Sequence, residues 1–454
     1  MNGTLPPQQI SGWGRYPTGT SQLARPEQVR GITDLVGAHR YVIARGLGRS
    51  YGDAAINEAG VTLLLERFNR FLSFDSATGM VRCEAGVTIA DLLTHFLPRG
   101  FFPPVTPGTR FVTLGGALAA DVHGKNHHKD GSFSRHVEEF NLLTAEGGIL
   151  RCSRQENADV FWATMGGMGL TGIVTEISFR MKRVESAYVS VDYDQAPNLD
   201  AALALFENSD QGYTHSVAWI DCLARGRNLG RSVLMRGNWA TPSKLHRRQA
   251  ENPHALPPAR GLGVPFDAPR FLLNPASVRL FNSAFYHRHR TRHDVVVPYE
   301  PFFYPLDKIR HWNRLYGNRG FLQYQCVLPL GSSRDGMIRM LELLSSEGHA
   351  SFLAVLKRFG ETEGEQLLSF PRPGYTLAVD LPRNGERQDR LLKELDQVVL
   401  KAGGRVYLAK DARLSSESFQ AMYPELPRWL AIKRRVDPNR RFTSSLSRRL
   451  GLDG

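Results

Sequence analysis

Short apolar runs fenced by glycines and turn residues set the rhythm of the first third of the chain. Tyr41–Arg45 and Val61–Leu65 are two such runs and read as buried strands. Phe71–Asp75 and Met80–Ala85 flank Ser-Ala-Thr-Gly, the pattern of a hairpin. After Thr88 the apolar positions move to Ile89, Leu92, Leu93 and Phe96, which is helical spacing. Asp91, three residues past Thr88, completes a variant of the capping box and fixes where that helix starts. Ile173–Phe179 alternates Ile173, Thr175, Ile177 and Phe179 against Val174, Glu176 and Ser178, as a strand does.

From about Ser186 the texture changes. Longer strands are predicted at Ser216–Asp221, Val295–Tyr299, Phe321–Leu328, Ser351–Lys357 and Tyr375–Leu381, with helical stretches at Leu199–Glu207, Met337–Ser346 and Arg390–Lys401. A large sheet with helices on one face is the economical arrangement. His246–Arg270, rich in Pro, Gly, Arg and His without a period, reads as a long exposed loop, either a lid or an insertion. Past Gly404 come a strand, Arg405–Ala409, and the helical Glu417–Val436. The expectation is an α+β chain with units at 1–185 and 186–403, and a segment 404–454 that returns to the first unit.

With 454 residues, 42% of them hydrophobic, the chain has the length for two or three domains and the apolar content for sizeable cores. No apolar run approaches the roughly 18 residues of a membrane span. The opening MNGTLPPQQISGWGRYP lacks the basic end and apolar stretch of a secretory signal, so synthesis in the cytoplasm is expected. Cys83, Cys152, Cys222 and Cys326 lie too far apart for a zinc motif or a dense disulfide framework, which fits a reducing compartment. A net charge of +13 favours anionic partners: nucleic acid, a phospholipid surface or a phosphorylated substrate. It is densest at Arg288–Arg292 and Lys433–Arg441, where a solvated basic surface is the plain alternative.

The chemistry begins with Ala44-Arg-Gly-Leu-Gly-Arg-Ser-Tyr-Gly-Asp53, directly after a strand. Its glycines let the backbone turn sharply and present N–H groups to an anion. It is not the dinucleotide fingerprint, whose third glycine follows the second by three positions rather than by four. A second glycine turn, Pro107-Gly-Thr-Arg-Phe-Val-Thr-Leu-Gly-Gly-Ala117, runs into a helix that Thr113 caps, with Gly115 and Gly116 in the first turn. A third, Gly166-Gly-Met-Gly-Leu-Thr-Gly172, precedes the Ile173 strand. Three such loops at strand ends suggest a long diphosphate cofactor threaded between two subdomains.

Further candidates are scattered. In Asp121-Val-His-Gly-Lys-Asn-His-His128 the histidines lack the spacing of a helical zinc motif, leaving a basic surface loop or an active-site segment. Period two places Gln323 and Gln325 on one face of their strand, facing solvent or a ligand, away from Leu322, Tyr324 and Cys326. Lys357 closes its strand, either solvated or ligand-facing, and Trp219 and Tyr304 have core packing as their default. In Tyr407-Leu-Ala-Lys-Asp-Ala-Arg413, a continued strand would put Lys410 on the apolar face with Val406 and Leu408. A lysine there is costly unless it is paired, for example with Asp411, or shifted in pKa.

ARGLGRSYGD, PGTRFVTLGGA, HGKNHH, FWATMGGMGLTGI, GFLQYQ, SFP-PG and YLAKDAR, in that order, resemble segments of the vanillyl-alcohol-oxidase-type FAD-binding family, in its branch that oxidises a polyprenyl-phosphoryl ribose. The likeness runs from Gly12-Trp13-Gly14 to Val436-Asp437-Pro438. It implies a two-subdomain FAD-binding domain beside a substrate domain built on a large antiparallel sheet flanked by helices. It implies cofactor contacts from Arg45, Gly46, Leu47, Gly48, Arg49, Ser50, Tyr51, Gly52 and Asp53, and from Gly108, Thr109, Thr113, Gly115 and Gly116. Ala120, Asp121, His123, Gly124, Gly172, Ile173 and Tyr407 complete that set. Many members carry the flavin on a His of the first glycine loop; Gly48–Gly52 has neither His nor Cys, so FAD is expected to be non-covalent.

The same likeness puts Lys125, Trp219, Tyr304, Gln323, Gln325, Lys357, Thr376 and Ala378 around the substrate, and Lys410, His123 and Tyr51 at the chemistry. No metal is implied. The implied reaction takes the 2′-hydroxyl of the lipid-phosphate ribose to a ketone. An NADH-dependent short-chain reductase would complete the epimerisation to an arabinose donor for cell-wall polysaccharide, and O2 or a quinone would reoxidise the flavin. A peripheral place at the inner membrane follows, with the periplasmic side as an alternative. Thr376 and Ala378 stand where the branch commonly has Asn and Cys, so the thiol attacked by nitroaromatic inhibitors is missing. Two alternatives remain: an oxidase of free sugars, alditols or aldonolactones on the same fold, and a basic phospholipid- or nucleic-acid-binding module without redox activity. No nucleic-acid motif supports the last.

Overall fold

The computed structural model describes residues 4–255, 262–269, 273–348, 352–365 and 367–453. A four-stranded sheet runs in the order Thr4–Ser11, Thr18–Ala24, Val61–Leu64, Val42–Arg45, the last three mutually parallel. The Val29–Ala38 helix buries Ile32, Leu35 and Val36 in a small core with Val42, Val61 and Leu63. A second, antiparallel sheet runs Phe71–Asp75, Met80–Glu84, Ile173–Arg180, Val137–Leu143, Ile149–Ser153. The Thr88 hydroxyl accepts from Asp91 N at 3.0 Å and the Asp91 carboxylate accepts from Thr88 N at 2.9 Å, so the capping box does open the Ile89–Phe96 helix.

The third sheet has eight strands, antiparallel throughout: Arg292–Pro298, Tyr188–Ala196, Ser232–Trp239, His215–Ile220, Ala354–Phe359, Gly374–Pro382, Phe321–Pro329 and Arg405–Val406. Leu199–Ser209, Leu330–Glu347 and Gly385–Lys401 cover one face. The other face turns toward the first two sheets, where Ser216 N donates to Lys125 O at 2.8 Å. One more helix, Pro275–Arg288, sits over that second face, with Phe285 against Trp219 at 4.6 Å between ring centroids.

Several expectations are corrected. The strand expected at Arg405–Ala409 pairs only at Arg405–Val406, opposite Val327 and Cys326. Beyond it Lys410 N and Asp411 N both donate to Tyr407 O, at 3.0 Å each, so the chain turns and the alternation of faces stops. Glu417–Val436 is two helices, Ser416–Met422 and Leu426–Val436, because Pro424 between them cannot continue the first. The strand expected to run to Tyr299 ends at Pro298, and Tyr299–Phe303 is a helical turn. In the loop expected over His246–Arg270, residues 256–261 and 270 lie outside the described residues, as does Ser351 of the Ser351–Lys357 strand. The remainder of that loop holds a helical turn, Arg247–Ala250, and Leu262–Gly263 pairs in parallel with Ile309–Arg310.

The chain after Asp411 packs back on the first part. Phe442 bridges Val42 in parallel, Trp429 Nε1 donates to Ala163 O at 2.8 Å, and Arg449 reaches Asp53. This absorbs much of the basic run Lys433–Arg441: Lys433 is buried in an ion pair with Asp437, Arg435 pairs with Asp159, and Arg441 donates to Val36 O. Among the described residues no helix is long and apolar enough to cross a membrane.

Candidate active site

Between the eight-stranded sheet and the first two sheets lies a largely apolar cavity of about 830 Å³. Strand register builds its floor: Gln325 opposes Ala378, Ala378 opposes Val355, and Val355 opposes Trp219, a row of four side chains that all line the cavity. Gln323 and Lys357 line it one step to either side. Opposite stand Gly46–Tyr51, Gly108, Thr109, Thr113, Gly115, Gly116, Ala120, His123, Gly124, Lys125 and Gly172. The turn at Tyr407 is pinned to both halves, because Tyr407 N donates to Gln325 O and Tyr51 N to Ala409 O, each at 2.9 Å. Tyr407 and Lys410 therefore both enter the cavity, which a continued strand would forbid.

Seven expected site residues stand behind this lining. Arg45 donates to Ala55 O at 3.0 Å and spans to Ser11 O at 2.6 Å, holding the strand end. Gly52 touches the Lys410 turn, where a Cβ would meet Asp411 O at 1.9 Å. Asp53 is ion-paired with Arg449 at 2.7 Å. Asp121 accepts from Ser132, Ser134 and Ser369, and so knits loops together. Ile173 belongs to the small core of the first sheet. Tyr304 is buried with its hydroxyl 2.7 Å from Thr106 Oγ1, and Thr376 accepts from Gln325 at 3.2 Å.

The charge in the cavity is unusual. Burial pushes Lys125 down to about 7, with repulsion from Lys357 adding to it, and burial lowers Lys357 to about 8. Lys125 donates to Phe302 O; the side chains of Lys357 and Lys410 have neither hydrogen bond nor ion pair among the described residues. Lys410 Nζ instead sits 3.8 Å from the centroid of the Tyr51 ring. Burial pushes Lys410 down, the Asp380 carboxylate opposes this, and Lys357 adds to it. Asp380 is pushed up by burial, against the hydrogen bond it accepts from Gln323, the charge of Lys410 and a 3.4 Å bond from Tyr316. Asp380 follows Ala378 on the same face of its strand, the one signal in the sequence that places it here. His123 is neutral, since burial and then Lys357 drive its pKa well down. Its Nε2 accepts from Gln325 at 3.0 Å, so the proton sits on Nδ1, which is buried without a partner.

These groups fit a bound flavin dinucleotide. The backbone N–H groups of Leu47, Gly48, Arg49 and Ser50 make no hydrogen bond among the described residues, and Arg49 Nε is buried without a partner. A run of free N–H groups beside a guanidinium suits a diphosphate. Gly108 has open space where a Cβ would stand, so a ligand can approach its backbone.

Residues 17–153 match the family described as FAD binding domain, and residues 378–450 match D-arabinono-1,4-lactone oxidase. Over 453 residues the chain is 40% identical to the decaprenylphosphoryl-β-D-ribose oxidase of Mycolicibacterium smegmatis, with 98% of each chain covered. The chain belongs to the decaprenylphosphoryl-β-D-ribose oxidase family. It is an FAD-dependent oxidoreductase. More distant relatives share only part of it: bovine L-gulonolactone oxidase is 27% identical over 204 residues, 43% of this chain and 46% of that protein. Human Delta(24)-sterol reductase is 27% identical over 178 residues, 38% of this chain and 34% of that one.

As a member of the decaprenylphosphoryl-β-D-ribose oxidase family with no nucleophile in Gly48–Gly52, the chain should release its flavin on acid precipitation, leaving a colourless pellet. A yellow pellet would mean a covalent bond elsewhere.

Proposed function

We propose that the chain oxidises the 2′-hydroxyl of a polyprenyl-phosphoryl ribose to the 2′-ketone, the first half of an epimerisation that yields the arabinose donor for cell-wall polysaccharide. The observation that carries this reading is the setting of three half-buried lysines, whose charge burial disfavours, in a largely apolar cavity. A ligand with a phosphoryl group, a small polar sugar and a hydrocarbon tail matches all three features. FAD held by the Leu47–Ser50 loop would supply the acceptor for the hydride of the carbinol carbon. Lys410, in the neutral form that burial favours, accepts the hydroxyl proton at Nζ. Asp380 then stabilises the ammonium so formed, and the Tyr51 ring lies against it. Gln325 and His123 orient the sugar from the floor and the facing loop, while Lys125 and Lys357 hold the phosphoryl group as point charges.

Residues 1–185 with 404–454 would form the cofactor unit and 186–403 the substrate unit. An NADH-dependent short-chain reductase would reduce the ketone, O2 or a quinone would reoxidise the flavin, and the lipid would be met at a membrane surface.

The lactone-oxidase match of residues 378–450 favours a second reading, oxidation of a free sugar or aldonolactone. An anaerobic visible spectrum decides: a short-chain polyprenyl-phosphoryl ribose should bleach the flavin band and small polyols or lactones should not. Bleaching by a lactone alone would transfer the assignment to the second reading.

Affinity for the anionic substrate should fall as pH rises. The phosphodiester stays charged, whereas Lys125 and Lys357 lose their protons near 7 and 8. Lys357→Ala should raise KM by about tenfold, as loss of one charged hydrogen bond does, and flatten this pH dependence. A KM that is indifferent to pH and to Lys357→Ala would remove the phosphoryl role.

A further inference from the structure

We propose that the outer face of the Pro275–Arg288 helix docks on an anionic lipid bilayer and opens the cavity directly onto it. The helix buries Val278 and Asn282 and leans Phe285 on Trp219. Its outward positions Ala276, Leu280, Phe281 and Ala284 are exposed, with Leu280 at 73% and Phe281 at 45%. A solvated helix face carries charge at such positions; an apolar stripe there marks a face that something covers.

Charge says what covers it. Arg279, Arg288, Arg290 and Arg292 border the stripe, all exposed, and none has an ion pair among the described residues. Apolar side chains flanked by arginines are the pattern of a helix lying in a bilayer interface with anionic headgroups. Of the two basic concentrations in the sequence, this one lies beside exposed apolar side chains, whereas in Lys433–Arg441 the lysine is buried against Asp437 and Arg435 pairs with Asp159. A second copy of the chain would bring the same positive charge to the same place, which disfavours self-docking.

The helix also forms the rim of the cavity. Phe281, half exposed, and Phe285 both line it, with Trp312 and Phe352 beside them. A hydrocarbon chain leaving a bilayer under this helix would pass from lipid to apolar side chains without crossing water. That passage rests on the lipid-phosphate reading of the substrate; the docking itself does not.

The test is co-sedimentation of the holoenzyme with phosphatidylcholine vesicles with and without phosphatidylglycerol. The protein should bind the anionic vesicles, less so as salt rises. Leu280→Glu should weaken binding by about tenfold or more, through loss of a buried leucine and gain of a like charge to the headgroups. Arg288→Glu with Arg290→Glu should do the same. Both variants should keep the flavin spectrum and turn over a short-chain substrate in solution as before. Vesicle binding unchanged in both variants, or absent in the parent protein, overturns the proposal; so does a Leu280→Glu effect seen only on self-association. Failure of any lipid-phosphate ribose to bleach the flavin would instead sink the substrate reading and leave the vesicle result standing.

Discussion

Lys410→Ala should give a yellow protein that substrate no longer bleaches. The expected loss in the rate of flavin reduction is about 10²–10⁴-fold, the range for removing a positioned general base. FAD should stay bound, because the free N–H groups of Leu47–Ser50 are untouched and the turn is held by the backbone bond from Tyr51 N to Ala409 O. The parent enzyme should reduce faster as pH rises, since burial lowers Lys410 and its neutral form is the base. Asp380 holds that pKa up, so Asp380→Asn should move the rise to lower pH while removing the partner of the ammonium product. Lys410→Arg separates the roles, for it keeps a charge beside Tyr51 and cannot accept a proton near neutral pH. Stopped-flow reduction under anaerobic conditions reads all of these. Full activity in Lys410→Ala would dismiss the base.

The largest loss of stability is expected from Arg449→Met. Its guanidinium donates to both oxygens of Asp53, at 3.0 and 2.7 Å, and to Asp411 at 2.8 Å. Both carboxylates are buried. Removing one partner of a buried pair costs about 3–5 kcal/mol because it strands the other charge. Here two acids are stranded side by side, one ending the first glycine loop and the other following Lys410. A fall of several degrees in the melting temperature should come with weaker FAD retention, both readable from flavin fluorescence on heating. Asp53→Asn in the same chain should recover part of the loss by deleting one of the stranded charges. An unchanged melting curve would show that water reaches these carboxylates.

What could be read from the sequence was local. The capping box at Thr88, the strand at Ile173–Phe179 and the shared face of Gln323 and Gln325 depend on residues a few positions apart, and the structure has all three, with the strand buried on both faces. The glycine loops were legible because a tight turn leaves its mark in composition. The rest was written across distance. The row Trp219, Val355, Ala378, Gln325 exists only through the register of four strands. Phe281, Trp312 and Phe352 reach one cavity from three segments that share no motif. The family resemblance places Asp53 at the cofactor, whereas the structure pairs it with Arg449, 396 positions away. Lys410 drew attention for a valid reason, the cost of a buried amine, on a strand that ends before it.

The same 396 positions have a price in time during synthesis. At about 5–20 residues per second, the first glycine loop leaves the ribosome roughly 20–80 s before the arginine that neutralises its last carboxylate. Phe442, the bridge partner of Val42, arrives nearly as late. Through that interval the first sheet lacks an edge contact and Asp53 lacks its counter-ion. Flavin loading then belongs to the end of synthesis, and a chain stalled before residue 442 would present an open, charged half-site to chaperones and proteases.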